Sequence, residues 1–416
     1  MQVLLIHPPS PFLLDSHTFP PLGLLYLARA LRTGGHTPVV LDMGCGDALE
    51  GYNPGCIGIT ATTSQLTYLK PLVETLRKLY PATPILFGGP HFSCEPSDAT
   101  KWNVEGVGVG ECEDVICEAV ENVRFSQWCG LYYGPGYKSN INGVGTPDRT
   151  AVDIHRYRYT LNGVPTTTII TQRGCQYRCD FCSRWEGTRD VRRRRINDVM
   201  GEIEEIKALG FGGLMFYDDE INLFNAPAYE LAEALRGQHM TWRAFIRTNL
   251  FTENLARVFK DAGCYELCAG VESGSDFILR KMHKGTTSTL NTRARAICRD
   301  YGIRFKAFLM LGLPFEDHET VALTRQWLLD NKPDDFDICL FQPYPGTQIV
   351  REPHRYDIEF DLNYLRNPIF HKGTPGEYVS SVRTKALSSE QLLAYRESIE
   401  VEVREALGLA KLGGKV

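Results

Sequence analysis

No apolar run in the sequence approaches the ~20 residues that cross a bilayer, so no membrane-spanning helix is expected. The opening residues Met1-Gln2-Val3-Leu4-Leu5-Ile6-His7 lack the basic leader of a secretory signal. They read as a buried strand running into Pro8-Pro9, and a cytoplasmic, reducing setting is the expectation. Charge of one sign is not in excess either. A formal net charge of -5 gives no general pull toward nucleic acid or anionic lipid, so neither is expected as a partner. Paired cysteine spacing is also scarce. Of 13 cysteines most stand singly, among them Cys45, Cys56, Cys94, Cys298 and Cys339, as small buried hydrophobes do. Internal repeats and low-complexity tracts are missing.

What is present is alternation. At 416 residues the chain exceeds one core, and two or three domains are expected. Strands read at Val3–His7, Pro38–Leu41, Ile57–Thr60, Pro84–Phe87 and Val107–Val109. Between and after them lie helices over Leu22–Arg32, Leu66–Tyr80 and Glu111 to about Val123. This predicts a doubly wound, Rossmann-like parallel sheet over residues 1–128, whose ligands sit at the carboxyl ends of the strands. Residues 129–165 read as a linker, with a hairpin turn at Asn142-Gly143.

A second alternation fills 166–350. Strands are expected at Thr166–Thr171, Gly213–Tyr217, Trp242–Arg247, Glu266–Val271, Phe305–Leu311 and Phe336–Phe341. Helices separate them, the first capped by Asn197. Six such units suggest a partial parallel barrel of the TIM type, with its site at the carboxyl face. The tail, 351–416, loses periodicity before Ser388-Ser389-Glu390-Gln391 opens a helix to about Leu412.

One cysteine group stands apart. Cys175, Cys179 and Cys182 fall in Gly174-Cys175-Gln176-Tyr177-Arg178-Cys179-Asp180-Phe181-Cys182, directly after the first barrel strand. Three thiolates on one loop can bind three irons of a [4Fe–4S] cubane and leave the fourth open. Zinc would ask for a fourth ligand, and no Cys or His follows within the next few residues. The basic run Arg189-Asp190-Val191-Arg192-Arg193-Arg194-Arg195 reads as a solvated face or a cofactor-side contact rather than a nucleic-acid site.

The Cys-x3-Cys-x2-Cys spacing, with Phe181 before the last cysteine, resembles the radical S-adenosylmethionine (SAM) superfamily. That resemblance implies SAM chelated at the open iron and cleaved to a 5'-deoxyadenosyl radical. It also implies SAM contacts from Phe181 and from the strand ends that carry Asp218, Glu220, Arg247, Glu272, Ser273, Gly312 and Gln342. The N-terminal half resembles the B12-binding branch, through His7-Pro8-Pro9, Pro20-Pro21-Leu22-Gly23-Leu24, Gly88-Gly89-Pro90-His91 and Val109-Gly110-Glu111. Cobalamin is then implied near Thr60, Thr62, Gly88, Gly89, His91, Gly110 and Glu111. Asp15-Ser16-His17 lacks the Gly of the Asp-x-His-x-x-Gly motif, so His17 is not expected to ligate cobalt.

Together these resemblances imply a cobalamin-dependent radical SAM methyltransferase. Its substrate would be a small molecule modified at an unactivated carbon and contacted by the tail. Its reductant would be an external one-electron carrier of the flavodoxin or ferredoxin type. A cyclase, oxidase or rearranging enzyme on the same scaffold is the nearest rival, and product mass separates it. A methylthiotransferase would need a second cluster. Cys45, Cys56, Cys94, Cys112, Cys117 and Cys129 do not fall in that family's motif contexts. An iron–sulfur or B12 sensor would form no 5'-deoxyadenosine.

Overall fold

The computed structural model describes residues 1–11, 13, 15–125, 132–133, 139–362 and 379–410. Six strands, β1 Gln2–His7, β2 Thr37–Asp42, β3 Cys56–Thr60, β4 Ile85–Gly88, β5 Gly106–Val107 and β6 Tyr132–Tyr133, pair in the order β2-β1-β3-β4-β5-β6. Every pairing is parallel. The continuous apolar run of β1 follows from burial on both faces. Val3 and Leu5 pack with helices Leu22–Thr33 and Ile116–Phe125. Leu4 and Ile6 pack on the other side with helix Leu66–Leu79. The strand order reverses between β1 and β3, which opens a crevice at their carboxyl ends.

The second sheet is a partial barrel. Strands β7 Thr160–Leu161 and β8 Val164–Ile169 are followed by the two-residue strands β9 Gln172–Arg173 and β10 Arg192–Arg193, which pair with each other. Then come β11 Gly213–Phe216, β12 Thr241–Ile246, β13 Cys264–Glu272, β14 Arg304–Leu311 and β15 Asp335–Leu340. The order is β15-β14-β13-β12-β11-β8-β7, with β8 and β11–β15 parallel and the two ends unpaired. Burial alternates strictly on β12 and β14. Trp242, Ala244, Ile246, Phe305, Ala307 and Leu309 join the core beneath the outer helices, while Arg243, Phe245, Lys306, Phe308 and Met310 stay partly exposed along the hollow.

The expected elements form with local corrections, the first being that the stretch read as a linker, 129–165, supplies β6, β7 and the start of β8. Among the described residues the hairpin is not at Asn142-Gly143, where Gly143 N–H to Asn140 O (2.7 Å) closes a turn with no strand beside it. It lies at Asn162-Gly163, both at positive φ (52° and 76°), and joins β7 antiparallel to β8. Asn197 is no cap. Arg195 takes the N-cap position, and Asn197 sits inside helix Ile196–Ala208. The helix expected from Glu111 begins at Ile116, because Glu111 and Glu113 are drawn out by Arg173. The last helix, Ser389–Leu407, opens on the Ser388/Gln391 capping box and stops at left-handed Gly408; Leu412 lies outside the described residues. Among the described residues no helix is long and apolar enough to cross a membrane.

Candidate functional site

The cysteine loop leaves β9 at Gly174, where φ is +100° and a Cβ would stand 2.3 Å from Asp190 O. Only glycine fits there. Gly174 N–H donates to Asp219 Oδ2 (2.9 Å) and Cys175 N–H to Thr188 O (2.9 Å), while Cys182 N–H closes on Cys179 O (3.0 Å). Asp180 secures the middle of the loop. Its N–H donates to Met282 O (3.1 Å), and its carboxylate meets Tyr356 OH (2.8 Å) and His283 Nδ1 (2.9 Å).

Two guanidiniums face the sulfurs. Arg184 Nε lies 3.2 Å from Cys182 Sγ and is braced by Asp219 Oδ1 (2.6 Å). Arg247 Nη1 lies 3.9 Å from Cys179 Sγ. Burial pushes the Cys175 and Cys182 thiols up, and Arg184 opposes it at both. No disulfide ties up these cysteines. Among the described residues no three Cys, His, Asp or Glu side chains converge as one metal ion requires. A cubane asks for less convergence, since each thiolate meets its own iron. Free thiols with cations beside them fit an anionic thiolate-bound cluster and do not form a zinc site.

The remaining strand-end residues divide. Glu220, Arg247, Glu272 and the previously unremarked Lys284 gather beside the loop. Lys284 Nζ donates to Glu272 Oε1 (2.8 Å) and sits 5.9 Å from the Phe181 ring centre. Glu220 Oε2 is buried without a partner. Burial raises this acid to about 7, with Lys284 and Arg247 opposing. Glu272 holds a left-handed φ of 63° at a register break between β13 and β14. Asp218 is not free to receive a ligand group: it accepts from Thr171 N–H (2.6 Å) and Gln172 N–H (3.1 Å). Its neighbour Asp219 does the loop-holding, and the unbroken acidic triplet hid which of the three would.

Ser273 is fully buried against Thr324, away from the thiols. Gly312 N–H donates to Glu316 Oε2 (2.5 Å), and Gln342 Oε1 accepts from Ser381 (2.5 Å). The tail therefore reaches these strand ends through Ser381 and Val382, whose methyl lies 3.0 Å from a Cβ placed on Gly312. The last helix instead walls the barrel's outer side: Arg396 Nε donates to Ile338 O (3.2 Å) and Arg404 Nη2 to Phe336 O (2.8 Å).

Between the two sheets lies a cavity of about 710 Å³. Thr60, Gly88, Gly89, Gly110 and Glu111 line it from the first domain; Gln172, Arg173, Tyr217 and Asp219 line it from the second. It runs inward past Gly23, Gly58, Leu86, Ala119 and Val123, an apolar slot between sheet and helices. A Cβ at Gly23 would meet nothing within 4 Å. Glycine-rich, apolar walls of this kind fit a bulky planar group, such as a corrinoid with the aromatic base of its tail.

Thr62 and His91 do not line the cavity. Thr62 caps its own turn with Gln65, and buried His91 bonds Thr63 (3.0 Å) and Asp98 (3.2 Å). His17 stays near Asp15 (3.3 Å), outside the cavity lining.

The basic run divides: Arg195 is exposed and pairs with Asp198, while the three arginines before it turn to partners. Arg192 pairs with Glu111, buried Arg194 pairs with Glu202, and Arg193 lies over Phe224 (4.3 Å). Arg173 reaches Glu111 (3.1 Å) and Glu113 (2.7 Å). Glu111 is thus a rivet between the domains at the cavity wall.

A cavity between the two sheets whose lining reaches Gly174, next to the three free cysteines, fits a radical SAM enzyme with a B12-binding domain. Family models agree: the radical SAM superfamily model matches residues 169–328 and the B12 binding domain model matches 16–120. The chain thus carries a B12-binding domain followed by a radical SAM domain.

Among its relatives is an uncharacterized methyltransferase of Pyrococcus horikoshii, 27% identical over 94% of this chain and 92% of the relative. The anaerobic magnesium-protoporphyrin IX monomethyl ester cyclase of Rubrivivax gelatinosus is 27% identical over 85% of this chain and 70% of the cyclase. In fold the chain is similar to the radical SAM methyltransferase TsrM of Kitasatospora setae, solved with cobalamin and a [4Fe–4S] cluster. The TM-score is 0.67 at 19% identity, covering 85% of this chain and 75% of TsrM.

Proposed function

We propose that this protein is a cobalamin-dependent radical SAM methyltransferase that methylates an unactivated carbon of a small molecule. The observation that carries the reading is the single cavity wall shared by the two halves: Arg173 and Asp219, beside the cysteine loop, line the same space as Gly88 and Gly110. The P. horikoshii relative, matched along nearly its whole length, supports methyl transfer.

When bound, the cluster and SAM supply a carbon-centred radical for hydrogen abstraction, and cobalamin supplies a transferable methyl group. The chain's own residues hold and shield. Cys175, Cys179 and Cys182 ligate the cluster, with Arg184 and Arg247 balancing thiolate charge. Glu220, with a buried oxygen that has no hydrogen-bond partner, would accept from the SAM amino group, and the Lys284 and Arg247 cations beside it would offset the carboxylate. Phe181, Gly312 and Gln342 would contact the nucleoside. Thr60, Gly88, Gly89 and Gly110 let the corrinoid approach their backbone. Partly exposed Phe245, Phe308 and Met310 leave the hollow mostly apolar near the loop, which keeps water from a radical. An external one-electron carrier supplies the electron.

The test is anaerobic reconstitution with iron, sulfide and hydroxocobalamin, followed by reduction in the presence of SAM. Formation of 5'-deoxyadenosine and a product heavier by one methylene support the reading. A cluster that forms and cleaves no SAM overturns it. The resemblance to the R. gelatinosus cyclase keeps one other reading open, an oxidative ring closure, and a product lighter by two or four hydrogens would establish it.

A further inference from the structure

We propose that the outer face of the cysteine loop is a docking surface for an acidic one-electron carrier protein. The proposal rests on the reading of this loop as the holder of a redox cluster. Three segments meet there at Asp180. Its N–H reaches Met282 O (3.1 Å), its carbonyl accepts from Gln348 N–H (3.0 Å), and its carboxylate takes Tyr356 OH (2.8 Å) and His283 Nδ1 (2.9 Å). The loop's back is therefore held against residues 276–284 and 348–356.

The side chains that these segments turn outward are mostly cationic. Arg178, Arg280, Lys281, Arg351 and Arg355 are exposed, against exposed Asp276 and half-buried Glu352, which pairs with Arg355. In a chain of net charge -5 this sign runs against the whole. Phe277, 41% exposed with Lys281 Nζ 5.6 Å from its ring centre, puts an apolar contact inside the cationic rim.

A rim of one sign around a small apolar centre steers an oppositely charged partner to one orientation. The chemistry says which partner. His283, 65% exposed in its side chain, is hydrogen-bonded to the carboxylate between Cys179 and Cys182, so an approaching carrier comes within a few bonds of the ligating sulfurs. The opposite side of the loop faces the interdomain cavity and the barrel hollow, which the cofactors and substrate fill. Electrons have this face left to enter by. The carrier gives up one electron, and the cluster gains it without atom transfer.

The test uses reconstituted full-length protein and reduced flavodoxin, an acidic carrier, with dithionite as a small control reductant. The rate of cluster reduction is followed by absorbance in a stopped flow. In the charge-reversal variant Arg178→Glu/Lys281→Glu/Arg355→Glu, flavodoxin reduces the cluster about tenfold more slowly or worse. Dithionite reduction and iron content stay unchanged, and the wild-type rate with flavodoxin falls as salt rises. Equal flavodoxin rates in variant and wild type overturn the proposal, as does a loss shared equally by both reductants. Wild-type protein that takes up no iron overturns the underlying reading instead. Phe277→Ala is the second variant: at low salt it slows flavodoxin alone, and no effect there removes the apolar centre from the surface.

Discussion

The guanidinium carbon of Arg247 stands 3.4 Å from the ring centre of Tyr177, two residues before Cys179, and Nη1 of the same arginine lies 3.9 Å from that cysteine's sulfur. A planar cation pinned between a ring and a thiol is held in one orientation. Arg247→Lys keeps the charge and loses the plane. Its rate of 5'-deoxyadenosine formation is expected to fall about tenfold, roughly the loss of one charge-assisted contact. Iron content, measured alongside, remains that of the wild type.

Replacing Cys175, Cys179 or Cys182 with Ala removes cluster iron and visible absorbance. Cys94 offers a control in the same neighbourhood. It approaches Ser183 (3.9 Å) from the first domain, yet lies off the loop. Cys94→Ala retains full iron, and a loss of iron there would mean that the ligand set is misassigned.

Filling the slot at Gly23 separates corrinoid binding from folding. A Cβ there meets nothing within 4 Å and Gly23 lines the cavity, so the ring of Gly23→Phe is expected to take up space in it. Removing a helical glycine stabilises the fold by up to about 1 kcal/mol. The expected outcome is a lower cobalamin-to-protein ratio after reconstitution, with Tm unchanged or slightly raised. Cobalamin uptake equal to the wild type would argue that the corrinoid binds elsewhere.

Glu316 gives a pH dependence. Burial raises its acid to about 8, opposed by hydrogen bonds from the Gly312 and Leu313 N–H groups, and Oε1 has no partner. The folded state therefore keeps a proton that the unfolded chain releases near the ordinary value of 4.5. Stability from this group is full below about 4.5 and declines as pH rises toward 8. Glu316→Gln, neutral at every pH, flattens that decline. Its Tm exceeds the wild type's by a few degrees at pH 8.5 and matches it at pH 5; equal Tm values at both would contradict a buried neutral carboxyl.

Breaking the rivet at Glu111 tests the contact between domains. Glu111→Ala leaves Arg173 and Arg192 short of a partner at a half-buried seam. Removing one member of a fully buried pair costs about 3–5 kcal/mol, so a partly exposed one costs less. Faster proteolysis between the domains at unchanged far-UV circular dichroism is the expected signature.

Much of this arrangement was legible in the residues. Apolar runs such as Val3–Ile6 and alternations such as Trp242–Ile246 set the strands, and the cysteine spacing set the loop, because all three are local patterns. Pairing across distance was not legible. Two Asn-Gly steps, at 142 and 162, look alike in sequence, and among the described residues only the second has a strand on each side. In Asp218-Asp219-Glu220, three adjacent acids do three different things, since successive side chains leave a strand end in different directions. The basic run left a solvated face and a cofactor-side contact both open, because Glu111 and Glu202, the partners of Arg192 and Arg194, are far away or on another element. Lys284 carried no motif, and only the register break at Glu272 brings the two together.

The rivet also bears on how such proteins can be recombined. Glu111 grips Arg173, two positions ahead of the first cysteine, and Arg192 on the strand paired with it. A chimaera joining the N-terminal sheet of one relative to the half-barrel of another inherits mismatched charges at that seam. The mismatch pulls directly on the segment that presents the thiols. Swaps that carry residues 111–113 together with 173 and 192 should keep the metal-loading capacity that swaps cut at the linker lose.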